Sequence, residues 1–254
     1  MKALKTLVAS AVLALSAGSA FAVYVNPVGG DGPNSSLQDV INGLYHSPTC
    51  PTCSPVGNAP NVTTDQAGAE LFQIEASGGS IATMIIQLAG LASSTSFGIY
   101  DPNNTATKLQ IFAGGVAQGG QATLSSNASN VFTLNYGNAT QFSSATFGYY
   151  IDVAGTYFYS QASLNGGNQQ LVDYRGDGDT IMLPDHAAGV WGPSSYILAW
   201  EDKALNNGSD KDYQDLVVYV ESVTKVPEPG SLALLGLGLS GLAFASRRKQ
   251  KNTK

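Results

Sequence analysis

The sequence predicts an all-β protein: a β-sandwich or jelly-roll-like domain with one short N-terminal helix and, at the other end, a transmembrane helix. From residue 71 onward, short runs rich in β-branched and aromatic residues recur about every 8 to 12 residues, separated by Gly, Asn, Ser and Asp. One earlier segment has the apolar spacing of a helix. Residues 230–246 carry no charge and are just long enough to cross a hydrocarbon core of roughly 30 Å.

Residues 1–22 have the features of a secretory signal peptide. Two lysines precede an apolar stretch at 7–15, and a small-x-small cleavage site follows at 20–22. We therefore expect export, with the mature chain starting near Val23.

The segment SSLQDVINGLY predicts the helix. Leu37, Val40, Ile41 and Leu44 follow the i, i+3, i+4, i+7 spacing of one apolar helix face. Ser36, or the serine before it, is placed to cap the first turn.

Two cysteines, Cys50 and Cys53, lie in the proline-rich segment HSPTCPTCSP. In an exported chain the simplest interpretation of such a pair is a disulfide. A redox-active pair and a zinc site that includes His46 are the alternatives. Redox catalysis requires a strand-to-helix context that the prolines disfavour, and zinc requires a fourth ligand.

A Phe-Gly-x-Tyr core occurs twice, at 97–100 and 147–150. Two copies are too few for a repeat protein. We expect two comparable strands in which Gly allows close backbone packing and the aromatic residues point into the core.

The exported segment, residues 23–225, is strongly acidic. It contains 17 acidic and five basic residues, a formal net charge of −12. Such a surface repels phosphate and attracts cations. This charge argues against nucleic acid and anionic lipid as partners and favours cations. About 200 residues are enough for one domain with its own core.

An acidic loop joins the two most apolar predicted strands, 196–200 and 216–223. Apolar residues alternate onto both faces of the second strand, which predicts a central position in the sheet. The loop, 201–214, and the strand mouth after it bring together five carboxylates: Glu201, Asp202, Asp210, Asp212 and Asp215.

Carboxylates this close would repel one another unless a cation lay between them. Calcium accepts roughly six to eight oxygen ligands in flexible geometry, so the loop predicts a Ca²⁺ site. Asp210 and Asp212 would point to one side of an extended backbone, with Asn206, Asn207 and the carbonyls around Gly208 available to complete the shell. Turn capping by these acids and a catalytic carboxylate pair are the alternatives.

The C-terminal segment, 226–254, combines three features in order. Pro227, Glu228 and Pro229 precede the uncharged span, and a basic cluster begins at Arg247. This arrangement resembles the PEP-CTERM sorting signal of Gram-negative bacteria. The resemblance implies that an exosortase recognises and cleaves the Pro-Glu-Pro region, with residues 230–246 crossing the inner membrane transiently and the basic tail inside.

The acidic loop carries a second resemblance. The order Trp200-Glu201-Asp202, a Gly-containing loop and then 210–218 is similar to the C-terminal signature of an uncharacterised bacterial surface-domain family that often accompanies PEP-CTERM tails. Gln214 stands where that signature usually has Asn. The resemblance implies a β fold and a calcium site, and no catalytic activity.

We therefore predict an exported structural protein of the cell surface or extracellular matrix, in a setting of exopolysaccharide and biofilm formation, and not an enzyme. The chain has two histidines and lacks the His-Glu-x-x-His and Gly-x-Ser-x-Gly motifs. One alternative is a carbohydrate-binding module that uses Tyr157, Tyr159 and Trp191 as exposed aromatic residues, although a core position is equally expected for them. Another is a secreted glycoside hydrolase, because paired carboxylates can be distant in sequence.

Overall fold

The computed structural model describes residues 25–29, 36–45, 57–75, 79–87 and 94–227, and for 82–87 only the backbone. The signal peptide, the cysteine pair and the predicted transmembrane segment lie outside these ranges. Within them, no helix is long and apolar enough to cross a membrane.

Antiparallel strands dominate the described residues, as the sequence predicts. They contain one α-helix, α1 (Leu37–Gly43), and a 3₁₀ turn at Ala162–Asn165. The strands are β1 (Phe72–Ile74), β2 (Gly79–Gln87), β3 (Thr95–Asp101), β4 (Asn104–Phe112), β5 (Gln121–Ser126), β6 (Val131–Leu134), β7 (Ala139–Gln141), β8 (Gly148–Val153), β9 (Thr156–Tyr159), β10 (Leu171–Arg175), β11 (Thr180–Ile181), β12 (Gly189–Val190), β13 (Tyr196–Trp200), β14 (Leu216–Val220) and β15 (Val223–Lys225).

The strands form two principal sheets. A seven-stranded sheet has the order β10-β13-β14-β2-β5-β6-β7, and a four-stranded sheet has the order β4-β3-β8-β9. Two short ribbons, β1-β15 and β11-β12, complete the described strands.

The first hydrophobic core joins residues of both principal sheets, which confirms the β-sandwich. Phe97 of β3 and Tyr149 of β8 stack with ring centroids 5.3 Å apart, and Trp200 of β13 contacts Phe97 edge-on at 6.5 Å. These three side chains are at most 1% exposed. Alternation along each strand explains the arrangement, since every second residue faces the opposite sheet.

A second hydrophobic core contains residues of α1 and of β13 and β14. Leu37 and Ile41 of the helix are buried, and they belong to one cluster with Ile197 and Val217. Ser36 caps α1 in a capping box with Asp39. Because the first core contains Leu216 and Val218, β14 is buried on both faces, and its position between β13 and β2 confirms the predicted central strand.

The predicted strand 216–223 is in fact two strands. Ser222 has a φ of 57°, a left-handed conformation that regular strands do not use. The chain turns there, so β15 leaves the sheet of β14 and pairs with β1.

The two Phe-Gly-x-Tyr segments lie in or next to β3 and β8, which pair with Gly98 opposite Tyr150 and Tyr100 opposite Gly148. A Cβ at Gly98 would lie 2.7 Å from Cε1 of Tyr150, and one at Gly148 would overlap the Tyr100 ring. The predicted close packing is confirmed. The aromatic residues are buried as predicted, on both faces of the sheet. Phe97 and Tyr149 enter the core between the sheets, whereas alternation places Tyr100 and Tyr150, at 0% and 4% exposed, on the opposite face, where each covers a glycine.

A candidate metal centre between β13 and β14

The acidic loop begins and ends at adjacent points of the seven-stranded sheet. Trp200, the last residue of β13, is paired with Leu216, the first residue of β14. Glu201 therefore directly follows Trp200, and Asp215 directly precedes its partner Leu216. The backbone N–H of Asp202 donates to Oδ2 of Asp215 at 2.9 Å, which closes the base of the loop.

Four of the five predicted ligands come together. Glu201, Asp210, Asp212 and Asp215 each offer one carboxylate oxygen, and these four oxygens lie within 4.8 Å of one another. Asp210 is exposed, whereas the other three residues are at most 4% exposed. The carboxylate of Asp202 is not a member of this group; Asp202 is buried beside it.

Asp210 and Asp212 meet through a turn, so the predicted extended backbone is wrong. Lys211 and Tyr213 have φ values of 65° and 57°. These left-handed residues curl the chain so that the side chains converge. Two contacts hold the turn: the carbonyl of Lys211 accepts a hydrogen bond from the Val28 N–H at 2.9 Å, and the Tyr213 hydroxyl donates to the Gln169 carbonyl at 2.7 Å.

A glutamine that the sequence analysis did not single out holds the first half of the loop. The Gln170 side chain, 1% exposed, donates from Nε2 to the carbonyls of Glu201 and Lys203 at 3.2 and 2.7 Å. Its Oε1 accepts from the Leu205 N–H at 3.3 Å. Gln170 directly precedes β10, the edge strand beside β13, and it lies 31 residues from Glu201 in sequence. No local pattern links the two positions.

The site has many acceptor oxygens and few donors. Asp212 receives two bonds from Gln214, one from its backbone N–H at 3.0 Å and one from Nε2 at 2.9 Å. Yet Oε2 of Glu201, Oδ1 of Asp202 and Oε1 of Gln214 are buried without a hydrogen-bond partner. Buried polar atoms are nearly always paired, so three orphaned acceptors in one loop require an explanation, and a bound cation supplies one.

The electrostatics of the cluster also favour a bound cation. Burial, with a smaller contribution from the neighbouring carboxylate of Asp210, raises the pKa of Glu201 to about 7. Burial likewise raises the pKa of Asp215 to about 8 and that of Asp202 above its ordinary value. Without a cation, the cluster keeps protons at pH values where carboxyl groups are normally ionised. A bound cation would favour the ionised forms.

The described residues thus contain a buried carboxylate cluster that could hold a metal ion. Part of the predicted turn capping is also present, because Asp212 and Asp215 accept backbone N–H groups. In each of these two residues, one carboxylate oxygen accepts a backbone N–H. Neither bond supplies a donor to Oε2 of Glu201. Capping alone therefore does not account for the cluster.

Two known families match separate parts of the chain. Residues 116–223 match a family model described as a domain of unknown function (DUF4114), which includes the whole acidic loop. Residues 225–249 match the model of the PEP-CTERM protein-sorting motif. The chain carries a PEP-CTERM sorting motif. No curated protein matches it.

The PEP-CTERM motif implies export, an anchored sorting intermediate and processing by an exosortase. Of the predicted sorting residues, Pro227 is described, whereas Glu228 and Pro229 lie outside the described residues. The predicted disulfide, Cys50 to Cys53, also lies outside them.

The aromatic residues proposed for sugar binding do not form one surface. Trp191 is 1% exposed, and its Nε1 donates to the Ser195 carbonyl at 3.2 Å, so of the two positions expected for it, surface or core, it takes the core. Tyr157 is 40% exposed. Tyr159 is half-buried on the same strand, with the two ring centroids 6.3 Å apart.

Proposed function

We propose that this PEP-CTERM protein is a structural component of the cell surface or extracellular matrix, with a β-sandwich stabilised by Ca²⁺ in the β13–β14 loop. It acts by associating with extracellular polysaccharide, and no catalytic step is assigned to it. The inner membrane holds it only until the exosortase has processed the tail. The observation that supports the calcium site is the cluster of four carboxylate oxygens within 4.8 Å, three of them from buried residues.

The donor set favours calcium over other metals. The four grouped side chains offer oxygen atoms only, which suit hard cations, whereas zinc and copper prefer nitrogen and sulfur. Calcium tolerates irregular geometry and several carboxylates, while Mg²⁺ requires a near-octahedral shell and keeps its waters. The unpartnered Gln214 Oε1 and Asp202 Oδ1 are available as further oxygens near the cluster.

A cation here would stabilise the sandwich because it bridges the ends of two central strands. An ion that binds the folded state alone adds about 2.7 kcal/mol at a hundredfold excess over its dissociation constant. For a domain of this size, that corresponds to a rise in melting temperature of roughly 5 to 10 °C.

The test is thermal unfolding of the secreted protein in chelator, in millimolar Ca²⁺ and in millimolar Mg²⁺. We expect Ca²⁺ to raise the melting temperature and Mg²⁺ to have a much smaller effect. Equal melting temperatures in chelator and Ca²⁺ would rule out the calcium site.

A second candidate function is carbohydrate binding at β9. The Tyr157 and Tyr159 rings lie within 20° of parallel, and the ammonium of Lys108 lies 4.3 Å from the Tyr157 centroid. Flat aromatic rings beside a cation suit the C–H face and hydroxyl groups of a sugar. Retardation in gels that contain candidate polysaccharides, lost in Tyr157→Ala, would support this function, and equal migration of both proteins in every gel would count against it.

A further inference from the structure

The sorting motif begins inside the folded domain. The match to the PEP-CTERM model starts at residue 225, and Lys225 is the last residue of β15, paired with Phe72 of β1. The N–H of Val226 donates to the Leu71 carbonyl at 2.8 Å. Pro227, the first residue of the Pro-Glu-Pro tripeptide, follows at once, so no free residue separates the last hydrogen bond of the domain from the motif.

Several contacts hold this segment in place. The Val223 side chain is fully buried in the core between the sheets, and its N–H donates to the Ser194 carbonyl at 2.9 Å. The Lys225 ammonium donates to the Ala67 carbonyl at 3.1 Å. Phe72 of β1 exchanges two backbone hydrogen bonds with Phe147, at 2.8 and 2.9 Å, so β1 is itself anchored.

A processing enzyme has to bind the chain on both sides of the bond that it cleaves. Extended substrates are generally held through their backbone N–H and C=O groups, as an added strand is held at a sheet edge. The backbone groups of residues 223–226 that bond to β1 are not free to bond to an enzyme.

We infer that exosortase acts on a form of this protein in which β15 has separated from β1, and that the released residues 223–226 provide the upstream half of the extended segment that the enzyme binds. The β1–β15 ribbon then limits the rate of processing. This inference depends on the sorting motif and is independent of the calcium proposal.

The fold permits this separation without breaking either principal sheet, although it exposes the Val223 side chain. β15 belongs to neither principal sheet, since among the described strands it pairs with β1 alone, in a two-stranded ribbon. The left-handed residue Ser222 already turns the chain away from β14. Local opening of such a peripheral element is common in native proteins and leaves the rest of the fold intact.

The first test is Thr224→Pro in the full-length chain, expressed with its exosortase. Hydrogen bonds from Val226 to Leu71 and from Glu75 to Ser222 flank the Gln73–Thr224 pair. The alternation of an antiparallel ladder therefore makes Thr224 a hydrogen-bonded residue, and proline removes its N–H. We expect processing, followed by pulse-chase and immunoblot, to become several-fold faster.

Thr140→Pro is the matched control. Thr140 is the central residue of another three-residue strand, β7, and it is paired with Phe132. Bonds from Leu134 to Asn138 and from Phe142 to Asn130 flank that pair in the same way. Thr140→Pro should leave the processing rate unchanged; an equal acceleration would show that general destabilisation, not release of β15, speeds processing and would overturn the inference.

A second variant leaves the folded domain unaltered. A six-residue Gly-Ser linker between Val226 and Pro227 supplies free backbone upstream of the motif while β15 stays paired. Its control is the same linker between Gly166 and Gly167, in the turn after the 3₁₀ helix. Faster processing with the Val226 linker alone supports the inference. Processing of both the Thr224→Pro and the Val226-linker chains at the rate of the unaltered chain would overturn it.

Discussion

The backbone N–H of Asp202 donates to the carboxylate of Asp215 across the base of the acidic loop, at 2.9 Å. This bond holds the Asp215 side chain beside Glu201 without the help of an ion. The arrangement places like charges together in a buried position, which is costly without a cation or protons. Binding of calcium and stability of the fold are therefore linked at this loop.

Asp212→Asn should make the protein insensitive to calcium. The amide keeps an oxygen that can accept the Gln214 N–H but removes one negative charge from the cluster. We expect the melting temperature in chelator to stay equal or rise, because repulsion falls, while the increase on adding Ca²⁺ is largely lost. Calorimetry with and without Ca²⁺ measures both effects.

Asp101→Asn is the control for that prediction. Asp101 is also buried, at 2% exposed, and it also accepts the N–H of the residue two positions later, at 2.9 Å. It is not a member of the acidic cluster. This variant should lose stability and keep the full calcium effect; the same loss of calcium response in both variants would contradict the proposed site.

In chelator, stability should decline as the pH rises. The folded-state pKa values of Glu201 and Asp215 are raised to about 7 and about 8, so between about pH 4.5 and pH 8 the folded state binds more protons than the unfolded state. The free energy of unfolding then falls with pH, by up to about 1.4 kcal/mol per pH unit for each proton. Urea denaturation across this range measures the slope.

Saturating Ca²⁺ should flatten that slope, because the ion favours the ionised carboxylates and displaces the protons. Glu201→Gln should flatten part of it in chelator, since one of the raised groups is gone. An identical slope in chelator and in Ca²⁺ would show that the cluster does not exchange protons for metal.

Gln170→Ala should weaken the loop and the calcium site together. It removes three hydrogen bonds to the loop backbone, at a cost of about 1 to 3 kcal/mol for the groups left unpaired. Gln169→Ala is the neighbouring control, because the Gln169 side chain bonds only to the Leu171 carbonyl among the described contacts. Calcium titration by calorimetry should show weaker affinity for Gln170→Ala alone.

Gly98→Ala should destabilise the sandwich without affecting calcium binding. The added methyl group would overlap the backbone carbonyl oxygen of Leu109 on the neighbouring strand β4 and would lie 2.7 Å from the Tyr150 ring. Overpacking of this kind typically costs about 1 to 3 kcal/mol. Gly189→Ala provides the comparison, since a Cβ there meets nothing within 4 Å. A melting temperature for Gly98→Ala equal to that of Gly189→Ala would contradict this close packing of Gly98 against Leu109 and Tyr150.

The sequence predicted the parts of this fold that depend on local pattern. Alternation identified β14 as a central strand, and the helical spacing at Leu37 and Ile41 identified α1. The acidic residues were also recognised, because their types and order are visible in the chain. The exact strand end at Ser222 was missed, since a left-handed serine has no distinctive local signature.

Contacts between distant segments could not be read from the sequence. Gln170 reaches the acidic loop only because β10 pairs with β13, and a lone glutamine carries no signal of that pairing. The turn that joins Asp210 and Asp212 depends on Tyr213, whose hydroxyl is held by the Gln169 carbonyl. The position of Trp191 stayed open between surface and core, because an aromatic residue in a loop looks the same in sequence in either environment.

The paired Gly–Tyr contacts between β3 and β8 also fix how the two strands align. Sliding one strand by two residues would keep every side chain on its own face, which ordinary alternation cannot prevent. In one direction the slip would set Gly98 opposite Gly148; in the other it would set Tyr100 opposite Tyr150. Neither slip keeps a glycine directly opposite the tyrosine that covers it in the native register. The Gly–Tyr contacts therefore favour the native register of β3 and β8 over both shifted registers. Strands that pair in a shifted register during folding would lack these contacts.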